Sequence, residues 1–134
     1  MHHNSHEEIQ NILENYKTVA IVGLSAKPHR ASYDIANYLI RNGYKVIPVN
    51  PNYDEILGEK VYKSLSEIPD EVELVNIFRR SEDVEPVVRE AIEIKAKAVW
   101  MQLGIYNDKA AELAKKAGLK VVMDSCIKIE HSML

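Results

Sequence analysis

The chain has 134 residues, the usual size of one domain, and 46% of them are apolar while 28% are charged. This composition is typical of a folded globular protein rather than a disordered one. Its 17 basic and 20 acidic residues give a net charge of −3, which argues against sequence-independent binding of nucleic acid. Cys126 is the single cysteine, so an intrachain disulfide and a cysteine-based zinc site are excluded.

The N-terminus MHHNSHEEIQ is polar and acidic, whereas a secretory signal begins basic and then becomes apolar. No apolar run approaches the roughly 20 residues that a membrane span needs. We therefore expect a cytoplasmic protein that binds neither membranes nor nucleic acid. The early histidines His2, His3 and His6 lie in a polar terminus without a cysteine partner, and we predict no metal site there.

The first half of the chain alternates helical and extended patterns. Apolar residues at helical spacing predict a helix over 7–16 with Ser5 as its N-cap. The apolar run 18–22 predicts a strand that is buried on both faces. A helix over 32–41 follows, and a second strand is predicted over 45–49.

The second half continues this alternation. It predicts an extended piece at 60–62, a helical turn at 66–70, strands at 74–79, 98–103 and 120–124, and helices at 81–94 and 107–117. We therefore predict an α/β fold: a single domain with a Rossmann-like, doubly wound parallel sheet of about five strands in three α/β/α layers. Its parts are an N-terminal helix (1–16), a nucleotide-binding core (17–126) and a C-terminal tail (127–134), which is a candidate for a further helix.

Ligands of open, doubly wound sheets bind at the carboxyl ends of the strands, so the loops that follow the strands are the candidate site. The loop that begins at Gly23 leads into a helix, whose N-terminus favours a phosphate, and it carries Lys27 and Arg30. It has neither the GxGxxG spacing of dinucleotide enzymes nor the GxxxxGK[ST] of NTPase loops. The loop therefore predicts a polyanionic ligand without identifying it.

The residue that follows the second strand is Asn50, at the strand end where an NAD site typically places an acid to hold the ribose. A neutral amide tolerates a neighbouring phosphate, such as the one on the ribose of coenzyme A. Arg79 and Arg80 could bind that phosphate. The alternative for these two arginines is a solvated surface pair.

Other loop residues each have two interpretations. Tyr53 and Phe78 are candidates for stacking on adenine, and a core role for Phe78 is the alternative. Gln102 and Gly104 could line a channel for an amide-bearing chain, or Gly104 could only form a turn. Cys126 could face the thiol of the ligand, or it could be a small buried hydrophobe.

Cys126, Asp124 and His131 have the residue types of a nucleophilic triad, but no oxyanion-hole motif accompanies them in the sequence. We therefore predict no catalytic residue. A core role is predicted for Trp100, since an aromatic residue inside a strand is usually buried.

Several blocks of the sequence match one family in the same order: VGLSAKPHRASYDIANYLIRNGYKVIPVNPNY, GEKVYKSLSEIP, FRRSEDV, AVWMQLGIYN and AGLKVVMDSC. The chain thereby resembles the stand-alone CoA-binding proteins of the CoA_binding_2 (YccU-like) family, whose domain is similar to the CoA-binding domain of the succinyl-CoA synthetase α-subunit. Members of the family often have DRC where this chain has Asp124-Ser125-Cys126. The arginine is absent here and the cysteine is retained.

The resemblance implies a role for each loop. Residues of the first loop would hold the phosphates, those of the second the adenosine, Phe78 and Arg79 the ribose phosphate, and Gln102 and Gly104 the pantetheine arm. With the residue-based candidates, the predicted cofactor-binding set is Gly23, Leu24, Ser25, Lys27, Arg30, Ser32, Asn50, Pro51, Tyr53, Phe78, Arg79, Arg80, Gln102, Gly104 and Cys126.

The expected function is non-catalytic binding of coenzyme A or an acyl-CoA, as a carrier, store or sensor. One alternative is an NAD(H)-binding sensor, which Asn50 opposes. A second is one subunit of a split acyl-CoA synthetase with an ATP-grasp partner, and a third is a CoA thiol-exchange protein that uses Cys126. A homodimer or a protein partner is left open.

Overall fold

The computed structural model describes residues 4–134, so His2 and His3 lie outside the described residues. A five-stranded sheet forms its centre, and a separate two-stranded hairpin lies between the second and third of these strands in the sequence. The strands are β1 (Thr18–Val22), β2 (Lys45–Val49), β3 (Glu55–Ile56), β4 (Glu59–Lys60), β5 (Leu74–Ile77), β6 (Ala98–Met101) and β7 (Lys120–Val122). All neighbours in the main sheet are parallel, in the order β2-β1-β5-β6-β7.

In the described part of the chain, five α-helices cover the two faces of this sheet. They are α1 (His6–Asn15), α2 (Ala31–Arg41), α3 (Val84–Glu93), α4 (Asp108–Lys116) and α5 (Ile127–Ser132). Helix α1 begins with the predicted cap, because the Ser5 side chain accepts from the Glu8 backbone N–H and the Glu8 carboxylate accepts from the Ser5 N–H. None of the helices described reaches the length and apolarity that crossing a membrane requires.

The core has two halves because successive residues of a strand point to opposite faces of the sheet. In β1, Val19 and Ile21 pack with α1, α2 and α5, while Ala20 and Val22 belong to the cluster that includes residues of α3 and α4. Trp100 is fully buried, as predicted, and its indole Nε1 donates to the Ser125 carbonyl at 2.8 Å. Rossmann-like three-layer α/β/α architecture is thus confirmed.

The element boundaries differ from the predictions in a consistent way. The three later strands end two residues before their predicted ends, at Ile77, Met101 and Val122. The helix predicted from residue 81 begins with a 3-10 turn, Ser81–Asp83, before α3, and the turn predicted at 66–70 is a 3-10 turn at Leu65–Glu67. The first residue after each of these strands, Phe78, Gln102 or Met123, is still buried or half-buried, whereas Arg79 and Leu103 further on are exposed. The sequence patterns therefore extended the strands beyond their last ladder residues.

Candidate ligand site at the carboxyl edge of the sheet

The crevice of the sheet lies between β1 and β5. The chain leaves β1 for β2 on one side and leaves β5 for β6 on the other, so the loops that follow these two strands diverge. This topological switch point is where open α/β sheets bind ligands. Gly23 follows β1 and donates its N–H to the Val49 carbonyl at 2.9 Å, and Phe78 follows β5 and donates to the Val22 carbonyl at 2.9 Å.

Gly23 lies against the main chain of Phe78, the residue that follows β5. Its φ is +88°, and a Cβ atom built on it would lie 2.2 Å from the Phe78 carbonyl oxygen. A side chain there would need both an unfavourable backbone conformation and a displacement of the neighbouring main chain. Gly23 therefore lets the first loop pass close to the end of β5, a positional role that was not predicted for it.

The first loop is held by its own serine side chains. The backbone N–H of Ser25 donates to Ser32 Oγ at 3.0 Å, and the N–H of Lys27 donates to Ser25 Oγ at 3.1 Å. Ser32 is buried, while Ser25 is half-buried. Because both oxygens already accept from the loop, each hydroxyl keeps its O–H as the group it can donate to a ligand.

Arg30 is the N-cap of α2, and its side chain makes no capping hydrogen bond. The first backbone N–H groups of a helix have no partner within the helix, and together with the helix dipole they favour an anion. Lys27 and Arg30 are both exposed beside this N-terminus. The structure thus brings two cations and a helix N-terminus together, as the sequence predicts.

Leu24 and Asn50 connect the first loop to the second. Leu24 is fully buried in the core, so its side chain is not available to a ligand. Its carbonyl accepts from Asn50 Nδ2 at 2.9 Å, and Asn50 Oδ1 accepts from the Asn52 N–H at 2.9 Å. The amide of Asn50 therefore holds the two loops in register, and its binding to a ligand stays a prediction.

The second loop has an organiser that sequence reasoning missed. Lys63 Nζ donates to the carbonyls of Pro51 and Tyr53, each at 3.2 Å, and lies 3.4 Å from Asp54 Oδ1. Pro51 is exposed, whereas Tyr53 is half-buried and packs against the core cluster that contains Leu24. No local pattern identifies Lys63, because the loop it binds is ten residues away in the sequence.

The loop after β5 carries the arginine pair. The strand ends at Ile77, so Phe78 is a loop residue, half-buried against the same core cluster. Arg79 and Arg80 are exposed, and Arg80 Nε donates to Asp83 Oδ2 at 3.1 Å. The charge of Arg80 is thus partly offset, and Arg79 is the better placed of the two to meet a ligand phosphate.

The loops after β6 and β7 are tied to one another. Gly104 has a φ of +83° and donates its N–H to Asp124 Oδ1 at 2.6 Å, while the Asp124 N–H donates to the Ile105 carbonyl at 3.0 Å. Asp124 itself has a φ of +53°, which is uncommon for a residue other than glycine. Its positioning role was not predicted, although it follows a strand.

Gln102 is buried, and its side-chain Nε2 donates to Asn76 Oδ1 at 2.6 Å. Asn76 was not among the predicted site residues. The available signal was a single polar residue inside the otherwise apolar strand LVNI, since a strand covered on both faces is normally apolar throughout.

Cys126 is half-buried at the start of α5 and packs against the core. The groups that could have formed a triad with it have other partners. Asp124 accepts from Gly104, and His131 Nδ1 is 2.7 Å from the hydroxyl of Tyr38. Burial, and secondarily the charge of Lys17, hold the pKa of His131 below its usual value.

The fold and this edge define a class: a single Rossmann-like α/β domain with an anion-favouring loop at its switch point. The model of one family, the CoA binding domain, matches residues 17–132. The chain belongs to this CoA-binding domain family, as its sequence blocks predict.

The chain is 42% identical to the uncharacterized protein YneT of Bacillus subtilis over 99% of this chain and 98% of that protein. It is 36% identical to the alpha subunit of ADP-forming acetate–CoA ligase I from Pyrococcus furiosus, over 82% of this chain but 27% of the ligase subunit. Among solved structures, a hypothetical protein from Pyrococcus horikoshii OT3 superposes with a TM-score of 0.96 at 41% identity, covering 100% of this chain and 94% of that one. The chain thus resembles both small proteins of its own length and a fraction of a ligase subunit.

Proposed function

We propose that this protein binds coenzyme A or an acyl-CoA reversibly and releases it chemically unchanged. The observation that carries the proposal is the first loop, where exposed Lys27 and Arg30 flank the N-terminus of α2. A diphosphate placed there would accept hydrogen bonds from backbone N–H groups and would face two positive charges. Membership of the CoA-binding domain family supports coenzyme A as the source of that diphosphate.

The ribose phosphate of coenzyme A would be recognised by Arg79. This guanidinium is exposed beside the switch point, whereas that of Arg80 is bonded to Asp83. Across the crevice, Asn50 contributes an uncharged amide where a carboxylate would repel a phosphate. These features favour coenzyme A over NAD(H), whose ribose typically binds an acidic side chain.

The absence of turnover is also part of the proposal. Its support is that Asp124 and His131 are engaged with Gly104 and Tyr38 respectively, so Cys126 is not paired with a base through either of them. A thiol without an adjacent base is weakly activated. Incubation with acetyl-CoA should return the thioester intact by chromatography, and hydrolysis above the background rate that disappears in Cys126→Ser would overturn this part.

Isothermal calorimetry with coenzyme A, dephospho-CoA and NADH tests the ligand. A charge-assisted hydrogen bond contributes about 1.5–3 kcal/mol, so coenzyme A should bind about 10- to 100-fold more tightly than dephospho-CoA. Arg79→Ala should bring this ratio close to one, and Arg80→Ala should reduce it less. Equal affinity of the unmodified protein for the two ligands would refute the role of Arg79, and tighter binding of NADH would refute the choice of coenzyme A.

The helix that carries the proposed diphosphate site offers its own control. Arg30 precedes α2 and Arg41 ends it, and both are exposed. Arg30→Ala and Arg41→Ala therefore remove the same charge from opposite ends of one helix. Only Arg30→Ala should weaken coenzyme A binding beyond what a change in net charge produces. Equal losses in the two variants would mean that the effect is long-range electrostatics and not contact with the ligand.

One comparison favours a second candidate, a CoA-binding subunit that acts with a separate nucleotide-binding subunit. The chain matches 27% of an acetate–CoA ligase alpha subunit, so other parts of that protein have no counterpart here. Under this candidate, the protein mixed with a purified ATP-grasp subunit should form ADP from ATP when acetate and coenzyme A are present. The two candidates differ in that result, because the carrier proposal expects no ADP beyond that of the partner alone.

A further inference from the structure

Two amide side chains form a buried polar pair within the sheet. Asn76 lies in β5 with none of its surface exposed, and Gln102 follows β6 with 3% exposed. Gln102 Nε2 donates to Asn76 Oδ1 at 2.6 Å. In the register of the sheet, Asn76 is level with Ile21 in β1 and Trp100 in β6, so it faces α2 and α5, on the side that holds the first loop.

Each amide of the pair has one polar atom that is hydrogen-bonded to the other amide and one that has no partner. Within residues 4–134, the buried side-chain atoms that have no partner are Asn76 Nδ2 and Gln102 Oε1. Exchanging the oxygen and nitrogen positions in both amides gives the same inventory of one spare donor and one spare acceptor. An unsatisfied buried polar group destabilises a fold. Two apolar side chains would fill this place without that penalty, which points to a use for the pair.

The pair lies at the edge already described. Gln102 begins the loop that Gly104 and Asp124 fix, and Asn76 is two residues before Phe78, the partner of Gly23. The backbone bond to Ile77 O from the N–H of Gln102, which follows the last residue of β6, is 3.5 Å long, the limit of a hydrogen bond. A ligand arm that ran from the switch point along the strand ends would pass this position.

We propose that Asn76 and Gln102 recognise a secondary amide in that arm. An amide carbonyl would accept from the spare donor and the amide N–H would donate to the spare acceptor, so both orphaned atoms would be satisfied by one group. A phosphate or carboxylate offers acceptors alone and an ammonium offers donors alone. This inference rests on the proposed function, since the pantetheine arm of coenzyme A contains two secondary amides, and it makes the pair a specificity determinant for the arm.

The test separates the arm from the phosphates. The ligands are coenzyme A and adenosine 3′-phosphate 5′-diphosphate, which keeps the nucleotide and lacks the arm. The variants are Asn76→Leu, Gln102→Met and the double variant, which nearly preserve side-chain volume. The double variant should bind coenzyme A about tenfold more weakly and the armless nucleotide with unchanged affinity. It should also melt at the same or a higher temperature, because the orphaned atoms are gone.

The other outcomes distinguish failure of this inference from failure of the proposed function. If the double variant lowers the affinity for both ligands equally or for neither, the pair does not recognise the arm, and coenzyme A binding by the unmodified protein still stands. If the unmodified protein binds neither ligand, the proposed function itself fails. Should the double variant not fold, an analogue of coenzyme A with esters in place of its amides provides the same test. The unmodified protein should bind it about tenfold more weakly than coenzyme A, and equal binding would refute the inference.

Discussion

Replacing Gly23 by alanine tests whether the close approach of β1 and β5 supports the fold. The new Cβ would lie 2.2 Å from the Phe78 carbonyl oxygen, so the Phe78 main chain would have to move by about 1 Å to restore van der Waals contact. The φ of +88° adds the cost of a left-handed conformation, about 1–2 kcal/mol. Overpacking of this kind costs about 1–3 kcal/mol. The sum is about 2–5 kcal/mol, or a decrease of roughly 8–20 °C in melting temperature for a domain of this size.

Gly43 provides the matched control. Its φ is also +88°, but a Cβ atom there would meet nothing within 4 Å. Gly43→Ala therefore carries the backbone strain alone, which the lower entropy of the unfolded chain partly offsets, leaving a net loss of about 1 kcal/mol or less. Thermal unfolding followed by circular dichroism should show a decrease at least twice as large for Gly23→Ala. Equal decreases would refute the contact with Phe78, and Gly23→Ala should also weaken coenzyme A binding while Gly43→Ala should not.

Three further predictions concern stability. Lys95, which follows α3 in an exposed loop with a φ of +60°, should be replaceable by glycine with a gain of about 0.5–1 kcal/mol in the free energy of unfolding, measured with urea; a loss would contradict it. Burial and then Lys17 lower the pKa of His131 in the folded state, so the unfolded state takes up its proton first as pH falls below about 6.5 and stability is lost there. The melting temperature should fall less in that range for His131→Gln, and parallel curves would refute this linkage. Asn50→Asp replaces the donor to the Leu24 carbonyl with a repelling carboxylate, and should cost about 1–3 kcal/mol and weaken coenzyme A binding; an unchanged melting temperature would show that this bond is dispensable.

The fold could be predicted because its main strands are continuous apolar runs and its helices are amphipathic. The run TVAIV forms β1 at its predicted boundaries. A strand that is covered by helices on both faces is apolar at successive positions, so a continuous apolar run identifies it. The β3–β4 hairpin lacked such a signal. Its strands have two residues each, and its turn places Leu57 at a φ of +54°, a conformation that the identity of leucine does not indicate.

The sequence predicted which loops form the candidate site, because the order of strands and helices determines where each loop lies. It did not predict the hydrogen bonds between side chains and main-chain groups of different loops. Lys27 and Arg30 lie beside the N-terminus of α2 because they belong to the short loop that connects the carboxyl end of β1 to this helix. Asn50 was located correctly, but its hydrogen bond to a carbonyl 26 residues away cannot be deduced from either loop alone. Asp124 likewise holds Gly104 across 20 residues.

The structure of the first loop shows how a Rossmann-like domain can place the N-terminus of a helix at its ligand-binding edge without the GxGxxG motif. In that motif, separate glycines provide the tight turn, the close approach of the backbone and the packing of helix on strand. Here Gly23 provides the close approach, while side chains perform the rest: Ser32 binds the Ser25 N–H and Asn50 binds the Leu24 carbonyl. A loop fixed by side chains can tolerate larger residues near the ligand, including the cations Lys27 and Arg30. Such a loop suits a ligand with several phosphates, because it adds charge to the backbone donors that a glycine loop supplies alone.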